Sequence, residues 1–362
     1  MRILHNKVSY YNVKKYLWNE PSMKKILPIA MTEVKNRTIS DYIESWNNEM
    51  PNRQVIDWEN KYNKVKNYFR KKILSKKDFQ KFIFKKSIKH VYIEPFSYCN
   101  RKCYFCPNHD LKRLGENTYL DRNVISKILD DLASIDFSGA MSFHEYNEPL
   151  SDKVIYSILE ETSQKLKNVE IKLTTNGDYL NEKVLNLLAR CRVSYIKLSL
   201  YGPKHGHFEK DEMKKTLEKI SKRTKCKIDL LKIESDKTRR HLSAKLVHKD
   251  INIEVFGLDY GDTGFDRGGV VPFSSNLKRI DRVRPCFAPS TELHIDYLGN
   301  IKPCCNLTTD REHHKDYIMG NLYDGKDIFD HFLDPTFVKF RNDTLRENPT
   351  PDACKACTWP WT

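Results

Sequence analysis

The sequence predicts an α/β chain whose centre is an open, partial (β/α)6 barrel of the TIM-like kind, with a helical extension before it and a small cysteine-bearing unit after it. Three observations predict this. Strand-like and helix-like segments alternate from His90 to about Phe256, the cysteines fall into two separate frameworks, and the first 87 residues contain none of them. At 362 residues, 39% hydrophobic and 11% aromatic, the chain is long and apolar enough for one large core with additions.

The extension, residues 1–88, is marked by charge. Met1 to Ser87 carries 20 Lys/Arg against 8 Asp/Glu, so +12 of the formal +15 lies there. Such a surface suits nucleic acid, a phosphorylated metabolite, an acidic peptide or an acidic carrier protein, and a general lysine-rich bias would also produce it. Val65, Tyr68, Phe69 and Ile73 at helical spacing predict a helix from about Asp57 to Leu74, and a second, short one runs from Lys76 to Phe84. No continuous apolar segment opens the chain and no stretch approaches the roughly 18 uncharged apolar residues of a membrane helix, so the expected location is cytoplasmic with no membrane partner. In a reducing compartment, ten cysteines read as metal ligands rather than disulfides.

In the core, residues 89–257, strands are expected at 90–96, 139–144, 169–174, 193–200, 226–232 and 251–256. Helices are expected near 122–134, 152–167, 181–190, 208–222 and 237–246. Alternation of this kind gives parallel strands with right-handed crossovers, and six units are too few to close an eight-stranded barrel. Functional groups should then gather at the carboxyl ends of the strands. A glycine-rich bridge, 258–285, leads to the last unit, 286–362, where Glu292–Asp296 and Asn300–Pro303 read as a hairpin around Gly299 that brings Cys286 and Cys304 together.

Directly after the first strand, Cys99-Asn-Arg-Lys-Cys103-Tyr-Phe-Cys106 sets three cysteines at C-x3-C-x2-C spacing. Three thiolates can hold three corners of a four-iron cluster and leave the fourth iron open to a small molecule. A structural zinc site would need a fourth ligand, and no second C-x2-C pair is near. The motif resembles that of the radical S-adenosylmethionine (radical SAM) superfamily. That resemblance implies a [4Fe-4S] cluster on Cys99, Cys103 and Cys106, SAM bound to the free iron, and a 5'-deoxyadenosyl radical that abstracts a substrate hydrogen atom. Phe105, before the third cysteine, matches the aromatic that packs near adenine.

Other strings resemble the family's strand ends. Phe143-His-Glu-Tyr-Asn-Glu-Pro-Leu150 stands where relatives show Gly-Gly-Glu-Pro, with Tyr146-Asn147 in place of the glycines, and implies that Glu148 accepts from the SAM amino group. Leu173-Thr-Thr-Asn-Gly177 and Ile196-Lys-Leu-Ser-Leu-Tyr-Gly202 offer Thr175, Asn176 and Ser199 for the SAM carboxylate and ribose, although short polar residues are also ordinary turn formers. His144 and Tyr201 are the catalytic candidates, with Glu145, His205 and His207 nearby in sequence. Cys286, Gly299, Cys304 and the final Cys354-Lys-Ala-Cys357 resemble the SPASM/Twitch extension. They imply a second, auxiliary [4Fe-4S] cluster on Cys286, Cys304, Cys354 and Cys357, with Cys305 an alternative to Cys304 and a four-thiolate zinc the structural alternative. Cys191 and Cys226 read as small buried residues, and Trp359 and Trp361 as a cover for the cluster or plain terminal packing.

The expected function is therefore that of an oxidoreductase acting on a sugar or aminocyclitol-like alcohol. Crosslinking, oxidation or epimerisation of a ribosomal peptide is the alternative, and a flavodoxin- or ferredoxin-like reductant is the implied electron donor. A non-catalytic protein using zinc and its basic region to bind RNA is the reading from another class; nucleic acid is otherwise not an expected partner.

Overall fold

The structure, a computed structural model, describes residues 77–357 apart from 110, 112, 114, 116, 203–206, 236–239, 261–267, 272–281, 283, 284, 346–350 and 356. The helix expected over 57–74, His205 and the two terminal tryptophans lie outside the described residues. Among those described, no helix is long and apolar enough to cross a membrane.

Ten strands make one sheet in the order β10-β9-β8-β1-β2-β3-β4-β7-β6-β5. They are β1 His90–Ile93, β2 Ala140–Ser142, β3 Glu170–Thr175, β4 Val193–Ser199, β5 Ile228–Ser235, β6 Arg240–Leu246, β7 Asn252–Leu258, β8 Glu292–Ile295, β9 Asn300–Lys302 and β10 Gly320–Asn321. Six consecutive members, β8, β1, β2, β3, β4 and β7, run parallel and form the expected partial barrel. Two details differ from the sequence reading. The segment expected as a helix at 237–246 is β6, because Leu242, Ala244 and Leu246 are buried at every second residue, the period of a strand. The segment expected as a further parallel unit, β5, pairs antiparallel with β6, which itself runs antiparallel to β7. The sixth parallel strand is β8, from beyond the bridge.

The helices cover the outer face with one apolar stripe each. These are α1 Lys77–Ser87, α2 Arg122–Ala133, α3 Val154–Lys165, α4 Glu182–Arg190 and α5 Lys210–Thr224. In α2 the stripe is Ile125, Ile128, Leu129 and Leu132, and in α5 it is Met213, Leu217 and Ile220. Their starts are set by side-chain caps where the sequence offers one: Asp121 accepts from the Asn123 amide of α2, and Asn181 from the Val184 amide of α4. Cys191 and Cys226 are buried at the junctions after α4 and before β5, at the amino ends of the strands and away from the cysteine loops.

The C-terminal unit opens with the β8–β9 hairpin, turned at Gly299 with φ +76°. Then come α6 Ile328–Phe332 and α7 Pro335–Thr344, the latter capped by Asp334 and begun by a proline at its first position. Helix α1 closes against it. Phe84, wholly buried, meets the Phe329 and Phe332 rings edge-on at 5.2 and 5.3 Å between centroids. Phe84→Ala is expected to destabilise the protein by about 3–5 kcal/mol, the usual range for emptying a buried phenylalanine site. Chemical denaturation of the two proteins would check this, and equal midpoints would refute it.

Candidate active site

The loop that leaves β1 carries Cys99, Cys103 and Cys106. It is tightened by the Cys106 amide donating to the Cys103 carbonyl at 3.0 Å and by the 3-10 turn Pro107–His109. All ten cysteines are described and none forms a disulfide. Burial pushes the Cys99 thiol up to about 12, with the Cys106 and Glu148 charges adding to it, and pushes Cys103 higher still beside Cys106. Gathered thiols whose charged form is disfavoured this strongly fit a cationic cluster, which would deprotonate and hold them. Nearby Asn108, 3% exposed, donates from Nδ2 to the Tyr146 carbonyl at 2.6 Å, while its Oδ1 has no partner.

Glu148, Thr175 and Asn176 converge beside that loop. The Glu148 carboxylate, 2% exposed, accepts from Thr175 Oγ1 at 2.6 Å, from the Asn176 amide at 2.8 Å and from the Leu150 amide at 3.1 Å. Burial raises its pKa to about 7 in spite of these donors. A bound ammonium group would reverse that shift, so the carboxylate fits a cationic ligand. Asn176 also donates to Asn100 Oδ1 at 2.8 Å, and Asn100 and Arg101 both bind Asp178, the arginine through two contacts of 2.6 Å. The end of β3 is thereby tied to the cysteine loop. Gly177, φ +79°, permits this turn, since a Cβ there would meet Leu198 Cδ1 at 2.4 Å.

On the other side of the cysteine loop stands an aromatic group. Phe105 stacks on Tyr260 with centroids 3.8 Å apart and meets Tyr201 at 5.1 Å. Burial, then Tyr260 and Cys103, push the Tyr201 pKa well up. Of the five expected SAM-side residues, Glu148, Thr175 and Asn176 are joined by hydrogen bonds, Phe105 lies in the cysteine loop itself, and Ser199 ends β4. His207, though exposed, reaches the same loop and stacks on Tyr104 with centroids 4.3 Å apart.

His144 lies on the inner face of the half-barrel. Its Nδ1 accepts from the Thr174 amide at 3.0 Å, so the neutral ring carries its proton on Nε2 and can donate there. Burial lowers its pKa to about 4. Beside it, His90, Tyr92 and His294 form a ring stack, with centroids 3.9 and 4.5 Å apart.

Sequence reasoning missed what holds these rings. His294 Nδ1 meets Glu145 Oε1 at 2.5 Å and its Nε2 meets Glu292 at 2.9 Å, while Glu145 Oε2 pairs with Lys302 Nζ. Burial opposes the charge on Glu145, but Lys302 and then His294 outweigh it and lower the pKa; the two glutamates likewise raise that of His294 against its burial. A second buried group adjoins: Arg113 bridges Glu94 and Asp310, each at 2.5 Å. Ionisable residues inside otherwise apolar strands were the one available signal, as in Leu293-His-Ile295 and Ile301-Lys302.

Behind this lattice the remaining cysteines meet. Burial pushes the Cys304 thiol well up, and Cys305, Cys354, Cys357 and Cys286 all act on it in the same direction. Cys305 also raises the pKa of Tyr92, after burial and Glu292, so its sulfur is near the ring stack. Among the described residues no three Cys, His, Asp or Glu side chains converge as a single metal ion would require. Cluster thiolates, on the corners of a cube, stand farther apart.

Residues 93–233 match the model of the Radical SAM superfamily, and residues 286–358 that of the SPASM iron–sulfur cluster-binding domain. An S-adenosyl-L-methionine-dependent 2-deoxy-scyllo-inosamine dehydrogenase of Niallia circulans is 26% identical over 269 residues, 73% of this chain and 90% of that protein. The crystal structure of BtrN with AdoMet and 2-DOIA aligns with TM-score 0.55 and 22% identity, over 75% of this chain and 94% of that one. Streptococcus suis SuiB bound to S-adenosylmethionine aligns with TM-score 0.41 and 16% identity, over 84% of this chain and 79% of that one.

The histidine geometry gives a pH test. Between pH 6.5 and about 4 an unfolded His144 binds a proton that the folded one refuses, so this group costs stability as pH falls through that window and nothing above it. His144→Asn, whose amide oxygen can still accept from Thr174, is expected to flatten the stability curve there. Denaturant midpoints at a series of pH values would show it; identical slopes would refute it.

Proposed function

Since this chain is a radical SAM enzyme with a SPASM iron–sulfur domain, an oxidoreductase that uses a [4Fe-4S] cluster, SAM and auxiliary iron–sulfur chemistry, we propose that its reaction is the two-electron oxidation of a secondary alcohol on a sugar or aminocyclitol. The observation that carries this reading is the likeness to a dehydrogenase of that substrate class over nine-tenths of the relative's length. The cluster and SAM, when bound, would supply the radical that takes the carbon-bound hydrogen atom and the auxiliary cluster the acceptor for the second electron, while the hydroxyl proton would leave to solvent.

In this reading Cys99, Cys103 and Cys106 hold the catalytic cluster. Glu148, fixed by Thr175 and Asn176, accepts from the SAM amino group, and Asn176 and Ser199 serve the carboxylate and ribose. Phe105, flanked by Tyr201 and Tyr260, packs against adenine. His144 donates from Nε2 to the substrate oxygen and fixes which carbon faces the radical. Cys286, Cys304, Cys354 and Cys357 hold the auxiliary cluster. Cys304 is taken as the fourth ligand of this set, its thiol feeling Cys305 and also Cys354, Cys357 and Cys286. A flavodoxin- or ferredoxin-like reductant supplies the first electron, and the +12 charge of residues 1–87 suits an acidic carrier of that kind.

The test is anaerobic reconstitution followed by reduction with SAM and 2-deoxy-scyllo-inosamine. Formation of 5'-deoxyadenosine together with a product two mass units lighter than the substrate is expected, and SAM cleavage without any such product would sink the substrate class. Cys106→Ala should abolish 5'-deoxyadenosine formation, a loss of at least about 100-fold if the catalytic cluster fails to assemble. Cys304→Ala should lose the auxiliary irons while Cys305→Ala keeps them; the reverse pattern in an iron count would overturn the ligand assignment.

A further inference from the structure

We propose that Tyr146 is a positioning residue that couples the SAM-binding loop to the auxiliary iron–sulfur site. The proposal rests on the reading of Cys286, Cys304, Cys354 and Cys357 as the auxiliary ligands. Tyr146 stands two residues before Glu148, where relatives carry glycine, and it is 6% exposed. Its amide donates to Glu94 Oε1 at 3.0 Å, and its carbonyl accepts from Asn108 Nδ2 at 2.6 Å. Asn108 lies two residues beyond Cys106, in the 3-10 turn that closes the cysteine loop. On the catalytic side, the backbone of Tyr146 is therefore fixed to the loop that carries the first three cysteines.

The side chain of Tyr146 reaches the other cysteine set. Its hydroxyl donates to the Cys305 carbonyl at 2.5 Å, and its ring lies beside the Arg113 and Lys302 cations, 5.6 and 5.3 Å from the centroid. That carbonyl belongs to the peptide joining Cys305 to Asn306, and Asn306, 5% exposed, donates from Nδ2 to Cys357 Sγ at 4.0 Å. One line of hydrogen bonds and covalent links thus runs from Cys106 through Pro107–Asn108, Tyr146 and Cys305–Asn306 to Cys357. A glycine could make none of the side-chain part.

Hydrogen bonds to cluster sulfurs raise reduction potentials. By fixing the peptide that carries Asn306, the Tyr146 hydroxyl maintains one such bond and holds Cys304 in place. Binding SAM engages Glu148 and the loop just before it, so occupancy on one side alters the electron affinity of the other, and the effect is reciprocal as any coupling free energy must be.

The experiment is a redox titration of the reconstituted holoenzyme, read by electron paramagnetic resonance at the auxiliary cluster, with and without SAM. In the wild type SAM is expected to shift the auxiliary midpoint. In Tyr146→Phe, which keeps the ring and removes only the hydroxyl, iron and sulfide should be unchanged. The midpoint should fall so that, at the wild-type midpoint, the oxidised-to-reduced ratio rises at least threefold, and the response to SAM should disappear. Asn306→Ala should lower the midpoint as well, and the double variant should fall no further than the larger single one. A wild-type midpoint indifferent to SAM, or a Tyr146→Phe protein titrating as the wild type does under both conditions, overturns the proposal. Should Tyr146→Phe lose iron, Asn306→Ala decides, since an unchanged midpoint there breaks the line. A wild-type iron count of one cluster would instead refute the auxiliary-site reading itself.

Discussion

The ion lattice formed by Glu145, Lys302 and His294 is the constraint on which the rest of the structure depends. Each side chain is 2% exposed or less, and taking such a charge out of water costs several kcal/mol. That cost is offset only while the partners stay in hydrogen-bonding geometry, so the loop after β2 can meet strands β8 and β9 in one arrangement and no other. Arg113 does the same between Glu94 at the end of β1 and Asp310 in the C-terminal unit. Removing one member would strand its partner as an uncompensated buried charge, typically worth about 3–5 kcal/mol. The two cysteine sets hang from the segments these charges align.

Glu94 shows how the lattice reaches the chemistry. Its Oε1 accepts the amides of both Tyr146 and Asn147, the two residues that replace glycines before Glu148. The backbone there is held by a carboxylate from the neighbouring strand rather than left to the freedom of glycine. Glu148 can therefore spend its own oxygens on Thr175, Asn176 and Leu150, and the ends of β2 and β3 meet over the cysteine loop.

Local signals in the sequence name candidate site residues and leave their frame unread. The spacing of Cys99, Cys103 and Cys106, and the polar residues at the ends of β3 and β4, are contiguous, and each sits where its strand delivers it. The pairing of β8 with β1, joining Tyr92 to His294, spans some two hundred residues, and no periodicity in either segment announces it. Lys302 and His294 read alone as misplaced charges in apolar strands, and only the position of Glu145 explains them. Residues 240–246 were misread because Arg, Leu, Ala and Lys all favour helix, while the burial of Leu242, Ala244 and Leu246 against β7 is tertiary and overrides that preference.

The direction of β9 explains why the auxiliary cysteines reach the half-barrel at all. Had β9 continued parallel, the chain would have left the sheet at the end where β1 and β2 release their loops. Running antiparallel to β8, it turns after Lys302, whose ammonium binds the Leu307 carbonyl and fixes the turn. The Cys305 carbonyl then accepts from the Tyr146 hydroxyl, and the Cys304 thiol comes under the influence of Cys305, Cys354, Cys357 and Cys286. The same turn therefore brings both cysteines of the pair to the place where the C-terminal thiols and the Tyr92 ring come together.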